Sequence, residues 1–193
     1  MVCLFLIAGA CATQAAADTV LQLIKVGGQV NTTEIGGSGL RVFSLWDKAQ
    51  GEPVHPDGSF VTVIADSRPQ KISLKDDKKK TRALALALPG SKQAISFDAV
   101  STAVAMLFQD PGQFGNSAQA QRLAAKMAQK QSFCNLVDFL RKRLARMTLE
   151  ELAGDAECTV LVEQCNTEIF GQDDQAIRNS LRGAQHILER DLP

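Results

Sequence analysis

Residues Ile95 to Gly112, ISFDAVSTAVAMLFQDPG, divide the chain: strand patterns precede them and helical patterns follow. Ala94 to Phe97 reads as the end of a strand, and Asp98 then offers a side-chain oxygen to the free backbone amides of a helix start. From Ala99 to Phe108 only Ser101 and Thr102 are polar, and Val100, Ala103, Val104, Leu107 and Phe108 recur at helical spacing. A helix that is apolar all round has to be buried. Gln109, Asp110, Pro111 and Gly112 stop it, because proline cannot continue the hydrogen-bond ladder and glycine accepts the left-handed closing turn. The helix therefore reads as the joint between two halves.

Toward the N-terminus, six β-type runs are expected: Val20 to Val30, Arg41 to Trp46, Ser59 to Ala65, Gln70 to Leu74, Thr81 to Leu88 and Gln93 to Phe97. Turn residues separate them at Gly36 to Gly39, at Pro56, Asp57 and Gly58, and at Pro89 and Gly90. Ser59 to Ala65 is apolar in both alternating sets, which predicts a strand buried on both faces. In the fifth run Arg82, Leu84, Leu86 and Leu88 alternate with alanines, giving one bulky face and one flat one. Short strands at this spacing predict an antiparallel β-sandwich rather than a parallel sheet.

Three of these pieces carry a resemblance. Gly28-Gln29-Val30 in one strand, Leu40-Arg41-Val42 opening the next, and Pro56-Asp57-Gly58-Ser59-Phe60 entering a third resemble the carboxypeptidase regulatory-like module, a prealbumin-like sandwich of exported bacterial proteins. The resemblance covers this half alone, and GGSGL stands where the family places a Pro-Leu-x-Gly segment. It implies a spacer or binding platform and brings no catalytic residue. The junction STAVAMLFQDPG also resembles a segment of bacterial surface proteins that joins such a sandwich to a helical region.

Toward the C-terminus the helical period takes over. Ser117 is expected to cap a helix to about Gln131, and Ser132 the next, in which Phe133, Leu136, Val137, Leu140, Leu144 and Met147 keep the period. Thr148 with Glu151 forms a capping box, and Gly154 closes that helix before Asp155 opens another. There Cys158, Leu161, Val162, Cys165 and Ile169 share a face, with a strand through Thr159, Val160 and Val162 as the alternative. A last helix is expected from Asp173 to Arg190. Such helices should form a small bundle with the Ala99 to Phe108 helix at its centre. The fold class is α+β, a prealbumin-like antiparallel β-sandwich over 18–97 followed by a small α-helical bundle over 98–193.

Met1 to Ala17 carries no charged residue, and its apolar core suits the h-region of a signal peptide better than a membrane span. Two processing routes fit. Ala10-Cys11-Ala12 is a small-x-small cleavage site, and Ala8-Gly9-Ala10-Cys11 resembles a bacterial lipobox that would make Cys11 a lipidated N-terminus. Either places the protein outside the cytoplasm, in the periplasm or at the outer-membrane surface; a buried N-terminal strand or helix is the alternative.

The 193 residues have 21 basic and 21 acidic side chains, but from Thr19 to Arg146 the chain is basic, and from Met147 onward it has three Lys and Arg against ten Asp and Glu. Blocks of opposite sign tend to face each other or a partner. Nucleic acid is disfavoured as that partner, since Tyr is absent and the basic residues are not interleaved with aromatics.

Outside the leader lie Cys134, Cys158 and Cys165. Cys158 and Cys165, seven apart on one helix, are about 10 Å apart along its axis and beyond disulfide reach. An antiparallel helix pair would favour Cys134 with Cys165; buried free thiols are the alternative. His55, Asp57 and Ser59 are too close in sequence to converge as a relay, and no metal-ligand spacing or cofactor motif is present. A thiol nucleophile at Cys134 would need a base.

The sequence thus predicts an exported cell-envelope protein acting as a non-catalytic binding or structural module, toward an unidentified protein or polymer. Its recognition surface would be His55 to Ser59 with Asp57, Gly36 to Gly39, and the charged run Lys75 to Arg82, expected to be a solvated hairpin loop, with Lys78, Lys79 and Lys80. The alternatives are a small periplasmic enzyme using Cys134 or His55, and a subunit of an envelope assembly.

Overall fold

The computed structural model describes residues 22–46, 50–90, 94–108 and 116–171. The leader with Cys11, the stop signal after Phe108, and the last expected helix with His186 lie outside them. Seven strands come first: β1 (Leu23–Val30), β2 (Arg41–Phe43), β3 (Glu52–Pro53), β4 (Ser59–Ala65), β5 (Gln70–Lys75), β6 (Thr81–Ala87) and β7 (Ile95–Phe97). Five helices follow: α1 (Ala99–Leu107), α2 (Ser117–Met127), α3 (Gln131–Arg143), α4 (Leu149–Ala153) and α5 (Ala156–Phe170). The α+β class stands.

Two small sheets result, one in the order β4-β1-β7 and the other β3-β2-β5-β6. Their inward faces follow from the two-residue period of a strand. In the first, Val26 pairs with Thr62, Ile24 with Ile64 and Val30 with Phe97; in the second, Ile72 pairs with Ala85 and Leu74 with Ala83. All but the half-buried Ile24 and Val26 are buried, and the Phe60 and Phe97 rings meet at 5.4 Å between centroids. The flat face of β6 is thus the fully buried one, where alanines leave room for the larger residues opposite. Gly28 is required on the inward face of β1, since a Cβ there would run into the Phe60 ring and the Ile95 carbonyl oxygen.

Three expectations need correction. The sheets are not wholly antiparallel, because β7 pairs parallel with β1; alternation fixes which face a residue takes but carries no strand direction. β4 is not buried on both faces, for Val61 is 51 % exposed. Among the described residues the outward face of its sheet stays open around Val61. β3 escaped notice because it has two residues, and Pro53 suits an edge strand.

The joint forms as expected at its start. Asp98 accepts the Ser101 N–H while the Ser101 hydroxyl accepts the Asp98 N–H, a reciprocal cap. α1 is not buried all round, since Val100 is exposed. It also departs from the axis of a helical bundle, lying instead along β6 on one side and α3 on the other. There Thr102, fully buried, accepts the Leu84 N–H and donates to the Leu84 carbonyl, at 3.4 and 3.2 Å. A single hydroxyl satisfies both backbone groups of an edge strand that would otherwise be left unpaired in the interior.

One cluster of buried side chains runs without a break from the sheets into α1, α3, α4 and α5. α3 and α5 lie antiparallel, Lys130 meeting Glu168 at one end and Arg143 meeting Glu157 at the other. The opposite charges face each other, though such half-exposed pairs contribute little stability. Two caps differ from expectation. Asn116, not Ser117, caps α2, and Ser117 donates instead to the Pro89 carbonyl. Ser132 lies inside α3, where its N–H is accepted by Glu168 of α5 at 3.3 Å. Residues Thr159 to Val162 are helical, since Asp155 caps two amides of α5 and the Cys158, Val162, Cys165 stripe then meets α3.

Candidate functional site

The topology gathers the three predicted recognition loops at one end of the two sheets. β1 ends there and leads through residues 31–40 to β2; β4 starts there after the turn at His55 to Gly58; β5 and β6 join there through the hairpin Asp76 to Lys80. Two of the loops touch. Ser38 Oγ donates to Asp77 Oδ2 at 2.7 Å, and the Asp77 N–H donates to the Ser38 carbonyl.

The hairpin is held by one side chain. Asp76 Oδ1 accepts the N–H groups of Lys78 and Lys80 at 3.0 and 2.9 Å, while its own backbone closes the turn with Lys79 and Lys80. Lys79 has φ 60, a left-handed conformation that glycine or asparagine adopts more cheaply. Of the run Lys75 to Arg82, Lys75 lies over the Phe43 ring and Arg82 is buried. Lys78, Lys79 and Lys80 are exposed, and among the described residues their ammonium groups have no ion-pair partner within contact distance.

Arg82 anchors this end to the helices. Its Nε donates to the Gly36 carbonyl at 2.9 Å and its Nη2 to the Leu144 carbonyl at 3.3 Å, with Asp76 at 3.9 Å. Leu144 closes α3, so the guanidinium sits where the helix dipole is negative. Gly36 lies so close to this corner that a Cβ would fall on the Ala145 carbonyl oxygen. Glu34 makes the second tie, accepting the Ala99 N–H at the start of α1 and pairing with Arg141 of α3 at 3.1 Å. Thr81 makes a third through Glu150 of α4. The expectation of a fully solvated loop thus missed Arg82, although its place on the leucine face of β6 was the available signal.

His55 and Asp57 are exposed on the third loop, and Ser59 follows half-buried. Asp57 Oδ1 accepts both the Ser59 N–H at 2.9 Å and the Ser59 hydroxyl at 2.7 Å, and these bonds, helped by nearby His55, hold its carboxyl below the usual range. The serine proton is directed at the carboxylate, so the three make a turn and not a nucleophilic relay. Gly58 is required here: φ is +83, and a Cβ would lie 2.7 Å from the Val30 carbonyl oxygen.

The cysteines belong elsewhere. Cys134 stands in the first turns of α3, far along the helix from the Leu144 corner, and is exposed, its thiol facing the Ala128 carbonyl at 3.9 Å. Cys158 and Cys165 are buried, and burial, helped by nearby negative charge, pushes both thiols up to about 11. The structure holds all three as free thiols. The antiparallel helix pair does bring Cys134 into electrostatic range of Cys165, but one sulfur lies on the surface and the other in the core, and no bond joins them. Among the described residues no three His, Cys, Asp or Glu side chains group to hold a metal ion, and no described helix is long and apolar enough to cross a membrane. Compared with known proteins, the chain matches no family model, no curated protein and no solved structure.

Proposed function

We propose that the protein is an exported cell-envelope component acting as a non-catalytic binding or structural module, with the loop end of its sheets as the recognition surface for an anionic partner. One observation carries this reading: three consecutive exposed lysines occupy a turn fixed by Asp76, braced by Ser38 and anchored through Arg82. Such a tip presents its charge without having to be ordered on binding. Holding Lys79 at φ 60 costs about 1 kcal/mol relative to glycine, a strain tolerated more readily where the charge is used. The finer fold reading, a prealbumin-like sandwich of the carboxypeptidase regulatory-like kind, draws support from Gly28 under the Phe60 ring and from Gly58 in its tight turn. The enzyme alternative draws less support, since Cys134 and His55 lie on different parts of the molecule and the Asp57 carboxylate near His55 is engaged by Ser59.

The test is binding of polyglycerol phosphate, followed by calorimetry, for the parent and for a variant with Lys78, Lys79 and Lys80 replaced by Gln. At about 1 kcal/mol per lysine near an anionic surface, the triple variant binds roughly a hundredfold more weakly. Equal binding by both proteins, or none by the parent, would sink the reading.

A further inference from the structure

The opposite end of the sheets has a different character. β1 begins there, β4 ends there in the turn Asp66 to Arg68, and β2 runs out into the turn of Leu45 and Trp46. The described residues include six exposed large apolar side chains; three of them belong to this end, Leu23 at 48 %, Leu45 at 73 % and Trp46 at 40 %, and a fourth, Val61 at 51 %, stands farther along the outward face of β4. Single exposed apolar residues are ordinary, whereas a group of them is not.

The grouping is built into the fold. On the open face of the β4-β1-β7 sheet, Leu23 pairs with Ala65, Lys25 with Val63 and Gly27 with Val61, so Leu23, Val63 and Val61 share one surface. Ser44 Oγ donates to the Val63 carbonyl at 2.6 Å and itself accepts the Trp46 N–H at 3.2 Å. These bonds fix the Leu45–Trp46 turn against the end of β4.

What covers the surface is indicated by the chain that leads to it. The Asp66 N–H donates to the Gln22 carbonyl at 2.8 Å, so the preceding 21 residues join the fold beside the patch. The first 17 of them contain no charged side chain. Cys11 is eleven residues from Gln22, a span of at most about 36 Å. Lys25 lies within this outward face beside Val63 and Arg68 at its edge, both exposed, with Asp66 as an acidic neighbour among the described residues. Long basic side chains can lay their stems on apolar surface and raise their heads to phosphate, and tryptophan favours the boundary between hydrocarbon and water.

We infer that Leu23, Leu45 and Trp46, together with Val61 on the adjoining open sheet face, form a lipid-contacting surface that lays this side of the protein on a phospholipid bilayer. The loop end with Lys78 to Lys80 then points away from the membrane. The inference rests on the envelope reading only for the presence of a bilayer in the protein's surroundings.

Trp46 is the single tryptophan, so its emission reports on this face alone. The full chain is mixed with vesicles of phosphatidylethanolamine and phosphatidylglycerol, with and without bromine on the acyl chains. The expected result is a blue shift of Trp46 and loss of most of its emission to the brominated lipid. Leu45→Glu, at the most exposed position, should weaken partitioning about tenfold with an unchanged circular dichroism spectrum. Sedimentation with vesicles while Trp46 stays unquenched would mean that the leader binds alone, and would overturn the inference. So would a blue shift that grows with protein concentration before lipid is added, which would assign the patch to a second copy. A chain whose Trp46 inserts in vitro but which fractionates away from the envelope in cells overturns the envelope reading and leaves the lipid contact standing.

Discussion

The two ends of the sheet pair are made from similar loops and do opposite things. At the end bearing the lysines, two of the three loops are tied to the helices: Arg82 and Gly36 meet the close of α3, Glu34 meets α1 and Arg141, and Thr81 meets Glu150. What remains exposed there is polar. At the other end Ser44 holds the turn of Leu45 and Trp46 against β4, and these two leave apolar surface uncovered. A protein invests buried polar contacts where shape must be fixed, because each such group is costly to leave unpaired. Exposed apolar side chains add little to folding and are maintained by what they meet outside.

Substitutions can break this contrast in order of size. The largest effect is expected for Gly36→Val, whose side chain has no room beside the Ala145 carbonyl and must part the loop from α3. A loss of about 3 kcal/mol or more should appear as a lowered midpoint in urea unfolding, or as failure to fold. Next comes Arg82→Met, which keeps the apolar stem but leaves the Gly36 and Leu144 carbonyls without their donor and Asp76 without its partner. About 2 to 4 kcal/mol is expected from the same measurement. At the other end Leu45→Ser should change the midpoint by less than about 0.5 kcal/mol, because the side chain is already in water. An effect at Leu45 as large as that at Arg82 would erase the distinction between the ends.

Much of the fold could be read directly. The bounds of β4, the Asp98 cap of α1, the Thr148 capping box and the Asp155 start of α5 all lie where local chemistry puts them. These signals are short-range: a carboxylate three residues from an amide, or an alternation of two. The corners of the candidate surface were equally legible, since Gly58 and Asp76 act within a few residues of themselves. What escaped were mostly contacts across long sequence separations, the antiparallel pairing of α3 with α5 excepted. The parallel pairing of β7, the exposure of Val61, the burial of Arg82 against a residue 62 positions away and the closing of an edge strand by Thr102 belong to this class.

The sequence by itself determined most of the strands and helices, the starts of β4, α1, α4 and α5, and that Ile95 to Leu107 would carry the chain from sheet to helix. Only the tertiary structure decided that α1 would lie against β6, that three loops would share one end, and that Leu23, Leu45 and Trp46 would stand exposed at the other. The reason is physical. Caps and periodicities are energies between near neighbours along the chain, whereas the two ends are defined by which outward faces find a cover, a property of the assembled layers.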